Sequence, residues 1–306
     1  MDAIRLSPPR RLSLPVDNRW GAGEMNVLDF GDPERPVDLV FVHANGFNAM
    51  TYRSLLAPLS GTLRIWAPDL RGHGLTTLPA EPNGRRGWAD HRDDLVALLD
   101  AVDGPPAVLA GHSMGGNLAL RAIAERVLEP VPTALVLSAP MLDVLPERVP
   151  LPVRDAMARM MCTLRDPRRP AWKWSERPGE LPAFRQVLLT HDPARYSDEL
   201  WWREQRPELV MGPGSWGWVR AALDSIRMLA RPGVIESVDL PVFLLATTAD
   251  RLVGVRAMQR MEARLPHVTS LWFGSEAAHE ILREIDPVRD KALAGIDAFL
   301  DEVAPR

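Results

Sequence analysis

Ser113 stands in Gly111-His112-Ser113-Met114-Gly115, where an apolar run over 106–110 gives way to a helical pattern opening near Met114. A serine at so sharp a strand-to-helix turn has its hydroxyl held clear of the backbone, and the first turn of the helix leaves N–H groups unpaired beside it. Glycine fits two residues to either side because a side chain there would collide across the reversal. Such a serine can attack a carbonyl, with donors waiting for the oxyanion. The same pentapeptide also arises by chance as a Gly-rich turn, so its weight depends on the partners that the chain supplies.

The first partner is a general base, and 7 histidines compete for it. His279 follows the last strand pattern in a short loop that can lean toward Ser113. His43 also ends a strand but is better placed to order an oxyanion loop. His73 sits in a Gly-flanked turn, and the His112 side chain is expected to point away from its neighbour Ser113. His91, His191 and His267 lie in helical or connecting contexts and are expected at the surface. The second partner is an acid to orient the base. Asp250 and Asp143 each follow a strand, and each could instead be a helix cap or turn aspartate. The order serine, aspartate, histidine favours Asp250. For the oxyanion, the N–H groups of Met114 and Asn45 are the candidate donors, with Gly46 or Phe47 as alternatives to Asn45 in the His43-Ala44-Asn45-Gly46 loop.

These side chains need strand ends to present them. Buried-strand patterns fall at 38–42, 63–67, 106–110, 134–137, 242–246 and 269–273, with a weaker edge strand at 25–30. Helical patterns follow at 51–59, 89–102 and from 114, and 287–303 closes the chain with Asp286 as N-cap and a proline at the first helical position. Strands alternating with helices imply right-handed crossovers and a parallel sheet. Between 140 and 238 the rhythm breaks into helical fragments interrupted by prolines, including Pro146, Pro178 and Pro182, and rich in tryptophan. This is expected to be an inserted helical cap, with 1–139 and 239–306 forming the core.

Composition excludes several classes. With 46% hydrophobic and 25% charged residues over 306 positions, the chain is globular and large enough for one α/β domain with an insertion. A net charge of −4 argues against a nucleic-acid binder, and the single cysteine, Cys162, rules out an internal disulfide or multi-cysteine metal site. No apolar stretch reaches transmembrane length and the first residues lack a signal peptide's apolar core, so a cytoplasmic location is expected. Around Trp172 and Trp174, Arg165, Arg168, Arg169, Lys173 and Arg177 suit an anionic interface, although a solvated helix with buried tryptophans fits the same residues. Peripheral membrane contact stays open, as does the oligomeric state.

Together, His43-Ala44-Asn45-Gly46, Asp69-Leu70-Arg71-Gly72-His73-Gly74, the serine elbow, Asp250 and His279 resemble the α/β-hydrolase superfamily. The segment following His279 and the tryptophan-rich 212–218 are similar to its lysophospholipase L2 and monoacylglycerol lipase branch. Ala44-Asn45 departs from that branch's usual His-Gly loop. The resemblance implies a mostly parallel eight-stranded sheet flanked by helices, a helical cap, and hydrolysis of a lipid-like ester with neither cofactor nor metal. Ser113, His279 and Asp250 would form the triad of an acyl-transfer mechanism. Phe47, Met141, Trp216 and Trp218 are the expected substrate contacts, with Leu142, Met157, Met160, Met161, Trp201 and Trp202 adding apolar surface to the cap. A thioesterase, lactonase, carbon–carbon bond hydrolase or perhydrolase would share the triad, and a low-turnover ligand-binding protein could keep it. Dehalogenases and epoxide hydrolases are disfavoured, because they place a carboxylate where Ser113 stands.

Overall fold

A computed structural model of the chain describes residues 8–79, 88–104, 106, 108–144, 149–172 and 184–303. Its strands are β1 (Arg10–Asn18), β2 (Gly21–Phe30), β3 (Leu39–Val42), β4 (Ile65–Pro68), β5 (Val108–His112), β6 (Ala134–Ser138), β7 (Val242–Thr247) and β8 (Val268–Phe273). They form one eight-stranded sheet in the order β1-β2-β4-β3-β5-β6-β7-β8. Every pairing from β4 to β8 is parallel, and β2 joins antiparallel to β1 and β4. Central strands of this sheet are covered on both faces, which is why β5, β6 and β7 are continuous apolar runs with every residue buried.

Helices α1 (Arg53–Leu59), α2 (Ala89–Asp100), α3 (Met114–Ala124), α8 (Val255–Glu262) and α9 (Asp286–Val303) supply that cover. Alternate strand residues feed two cores. Val40, Leu109, Leu135 and Leu244 meet α2, α3 and α8 on one face, while Phe41, Ala110, Val136 and Phe243 meet α1 and α9 on the other.

Two features depart from the sequence-based expectation. The weak edge strand at 25–30 is the end of a long hairpin, β1 with β2, paired from Arg10 opposite Asp29 to Asn18 opposite Gly21. Its exposed outer strand alternates irregularly and carries Pro15, which only an edge strand tolerates. Its turn is closed by the Asn18 side chain accepting from Trp20 N–H (2.9 Å) and by Gly21 at φ 117°. Between β6 and β7 run α4 (Leu151–Leu164), α5 (Arg185–Leu189), α6 (Pro193–Gln205) and α7 (Trp216–Leu229). The last of these packs in the main core: Ala221, Ala222 and Leu229 sit in the α3 cluster, and Ser225 Oγ donates to Asn117 Oδ1 (2.7 Å). Pro146, Lys173, Trp174, Arg177, Pro178 and Pro182 lie outside the described residues.

After β3 the chain steps outward to β4, then returns past β3 to β5 and continues the other way. The carboxyl ends of β3 and β5 therefore flank the point where the winding reverses, and an open α/β sheet leaves its crevice there. His43 follows one of these strands and Ser113 the other.

A buried ion pair ties the loop after β4 to the helical layer, and the hairpin turn is bonded to both of its members, with Arg71 Nη1 donating to Trp20 O (3.2 Å). Arg71 donates to both oxygens of Asp94 on α2, at 2.6 Å each, and Asn18 Nδ2 adds a bond to Asp94 Oδ1 (2.8 Å). Both charged side chains are 1% exposed, so neither can recover solvation if the other is lost. Asp94→Asn should cost about 3–5 kcal/mol in urea denaturation. A loss below about 1 kcal/mol would mean that the pair is not buried as described.

Candidate active site

Ser113 has φ 53° and ψ −113°, a left-handed backbone that costs a non-glycine residue about 1–3 kcal/mol. Its neighbours hold it there. The Ser113 N–H donates to Ser138 O (2.9 Å), and its carbonyl accepts from Met141 N–H (2.9 Å) and Asn117 N–H (3.1 Å). The flanking glycines are explained by the same contacts. A Cβ on Gly115 would lie 2.1 Å from Val42 O, and one on Gly111 would lie 2.5 Å from the Gly115 carbonyl.

The base and acid candidates meet behind this turn. His279 Nδ1 donates to Asp250 Oδ2 (2.7 Å), while Asp250 Oδ1 accepts from the N–H groups of Leu252 (2.8 Å) and Val253 (3.0 Å). Burial alone would raise the Asp250 carboxyl, but His279 and the two N–H groups hold it below its ordinary value. Burial likewise pushes the His279 imidazole down, and the charge and hydrogen bond of Asp250 outweigh it, leaving the base above its ordinary value. Asp143, the rival acid, is engaged elsewhere: Arg154 grips both of its oxygens at 2.7 and 3.0 Å.

The loop after β3 is fixed by two histidines, both held below their ordinary value chiefly by burial. His43 donates from Nδ1 to Ala44 O (2.7 Å) and accepts at Nε2 from Leu70 N–H (3.0 Å). His73 Nδ1 donates to Arg71 O (3.0 Å), and its Nε2 accepts from Gly46 N–H (3.2 Å). Phe47 N–H donates to Ala44 O (3.3 Å), so the N–H groups of both alternative oxyanion donors, Gly46 and Phe47, are already engaged. The doubly bonded Ala44 carbonyl fixes the Ala44–Asn45 peptide, and in a trans peptide the Asn45 N–H points opposite to that carbonyl.

Ser113, His279, Asn45, Phe47, Met141 and Trp218 line one cavity of about 330 Å³. Met114 is fully buried at the start of α3, beneath the serine. Trp216 is not among the lining residues; it opens α7, and its N–H donates to Arg169 O (3.0 Å). Leu142 is buried but outside the lining, whereas Met157, Met160 and Trp201 are half-exposed and face away from the cavity. Their places on the lining are taken by Trp172, Phe184, Leu188 and Leu189. Phe184, Leu188 and Leu189 belong to α5 or its start, a helix too short to leave a readable period.

One histidine expected at the surface is not there. His91 is buried, one face of α2 being packed inward. The His112 side chain is directed away from Ser113, to Ser138 O (3.0 Å) through Nδ1 and to Glu280 Oε1 (2.9 Å) through Nε2, with its ring 4.8 Å from that of His279. Tyr52 OH donates to the other Glu280 oxygen (3.2 Å). His112, His279 and Glu280 place one ligand atom each within 4.8 Å of one another, the only such group among the described residues. Their bonds run to each other, to Asp250 and to Tyr52, so a metal ion there would have to displace existing partners.

A sequence profile of the serine aminopeptidase S33 family matches residues 38–286, most of the chain. The chain belongs to this family. It is an α/β-hydrolase, and its fold matches monoacylglycerol lipases: that of Paleococcus ferrophilus (TM-score 0.70, 23% identity, 91% of this chain and 99% of that one) and a soluble variant of the Saccharomyces cerevisiae monoglyceride lipase (TM-score 0.75, 17% identity, 97% and 96%). Among curated relatives it is similar to the magnesium-chelatase 30 kDa subunit of Rhodobacter capsulatus, 32% identical over 135 residues, and to protein phosphatase methylesterase 1 of Mus musculus, 32% over 116 residues. Those matches span 44% and 37% of this chain, and only 43% and 30% of the relatives' own lengths. No helix among the described residues of this S33-family chain is long and apolar enough to cross a membrane.

The opposed effects on His279 give a signed prediction. Reaction of Ser113 with a fluorophosphonate should rise with pH as His279 loses its proton, with a midpoint above the ordinary imidazole value of 6.5. Asp250→Asn removes the raising partner and leaves the burial, so the midpoint should fall below that value while the rate drops about 10⁴-fold. An unmoved midpoint in Asp250→Asn would show that Asp250 does not act on the base.

Proposed function

We propose that the chain is a serine hydrolase of carboxylic esters with apolar acyl chains, of the lysophospholipase or monoacylglycerol lipase kind. The observation that carries this reading is the single cavity lined by both Ser113 and His279, the latter tied to Asp250, with walls that are mainly aromatic and aliphatic. In this reading α4 to α6 serve as the cap that closes the cavity over the sheet, with α7 joining them to the core.

His279 takes the Ser113 proton as the hydroxyl oxygen attacks the ester carbonyl. Asp250 holds the imidazole with its proton on Nδ1, leaving Nε2 to accept, and stabilises the imidazolium that forms. The N–H groups of Met114 and Asn45 receive the oxyanion, each contributing about 3 kcal/mol of barrier lowering. His279 then gives the proton to the departing alcohol. Water, deprotonated by the same imidazole, attacks the acyl group and frees the acid and Ser113.

Apolar walls make chain length the discriminating variable. Each buried methylene is worth about 0.8 kcal/mol, so kcat/KM should rise several-fold per carbon until the cavity is filled. A cavity of about 330 Å³ is at the small end for ligand sites, which places that limit at a medium chain. The octanoyl ester of a given alcohol should therefore exceed the acetyl ester by at least about 100-fold in kcat/KM. A ratio near one would refute the apolar-acyl reading.

A further inference from the structure

The most heavily charged interior of the molecule lies behind the cavity wall. Glu199, on α6, is 1% exposed and is bonded by Arg185 (2.7 Å), Arg203 (3.0 Å) and Arg283 (3.0 Å). Burial opposes its ionisation, but the three guanidinium groups prevail and hold its carboxyl at about 2. The same three groups surround the Phe47 ring, at 5.8, 5.8 and 5.5 Å from its centre. Such a cluster is expensive to desolvate, and an apolar packing of equal volume would hold the helix as well. Stability alone therefore does not account for the cluster.

The reason is visible in where its arms end. Arg203 Nη2 donates to the carbonyl of Gly46 (3.2 Å), inside the loop that carries Asn45 and Phe47. Gly46 is then held through both of its peptide units, since its N–H, in the Asn45–Gly46 peptide, is already given to His73 Nε2 (3.2 Å). Arg283 also donates to Arg195 O (2.9 Å) and lies 3.9 Å from Glu280, the neighbour of His279. The inserted helices add backbone bonds to that segment: His279 N–H donates to Leu188 O (3.3 Å) and Glu280 N–H to Leu189 O (2.8 Å).

We infer that Arg203, anchored by Glu199, is a positioning residue for the oxyanion loop, so that the inserted helix α6 sets the geometry of the transition state as well as covering the cavity. This rests on the ester-hydrolase reading above. Arg203 touches neither the substrate cavity nor the reacting atoms; it acts through the Gly46 carbonyl. Among the described residues Glu199 keeps Arg185 and Arg283 when Arg203 is lost, so its buried carboxylate is not stranded.

Arg203→Met is the test, with kcat, KM, thermal midpoint and the Ki of an alkyl trifluoromethyl ketone measured together. The ketone's hemiketal oxyanion needs the loop donor, whereas ground-state substrate binding relies on the apolar walls. A loosened loop should lower kcat and raise Ki by the same factor, about 10- to 100-fold, with KM changed less than two-fold. Wild-type kcat and Ki in a folded Arg203→Met protein, or a loss confined to KM, would overturn the inference. Should Arg203→Met fail to fold, Arg203→Lys decides: it keeps the charge but not the fork that spans Glu199 and Gly46 O, and is expected to show the same paired change at several-fold size. Unchanged kcat and Ki in that variant would also overturn it. A wild-type protein that cleaves no ester would instead defeat the reading on which the inference rests.

Discussion

The backbone at Ser113 is held in a conformation that a serine does not choose, and much of the molecule serves to keep it there. β5 ends and α3 begins with no residue to spare, so the reversal must be made at a single position. The nearby strands close over that position from both sides. Ser138 at the end of β6 and Met141 just beyond it fix the peptide groups, and Val42 at the end of β3 comes so near that only a glycine can follow at 115. Strain of this kind persists where the surrounding structure over-determines it, and here it is sustained by the central strands of the sheet.

Electrostatics separates three of the buried histidines, His43, His73 and His279, by the same balance of burial against partner. His43 and His73 face mainly backbone groups, burial prevails, and each spends one nitrogen as donor and the other as acceptor to lock a loop. His279 faces a carboxylate that is itself held ionised by two backbone N–H groups, and there the partner prevails. One residue type thus gives two struts and one group able to exchange a proton. Glu199 extends that logic to the inserted helices, where three guanidinium groups keep a fully buried carboxylate charged.

What could be read from the sequence follows the range over which each signal acts. The strand-to-helix turn, the strand-end aspartate and histidine, and the alternation that builds a parallel sheet are local patterns, and the places of Ser113, Asp250 and His279 at the strand ends can be read from them. The β1–β2 hairpin was half hidden because its outer strand is exposed and interrupted by Pro15, so its burial has no period to detect. The partner of His112, Glu280, lies 168 residues away, beyond the range of any local pattern. Apolar content between 140 and 238 could not say which face each residue would take. Met157 and Met160 point outward from α4, while Phe184 and Leu188, on a helix of five residues, line the cavity. The Glu199 cluster gathers side chains from α5, α6 and the segment before α9, and no local pattern announces it.

The central claim is that Ser113 carries the acyl group. A p-nitrophenyl N-alkylcarbamate tests it most directly, because its carbamoyl group leaves an acylated serine slowly enough to be isolated. Mixing it with the protein should release one equivalent of p-nitrophenol and add one carbamoyl mass to the peptide containing Ser113, with no addition to Ser113→Ala. A carbamoyl group on any other residue, or the same stoichiometric release from Ser113→Ala, would contradict the account.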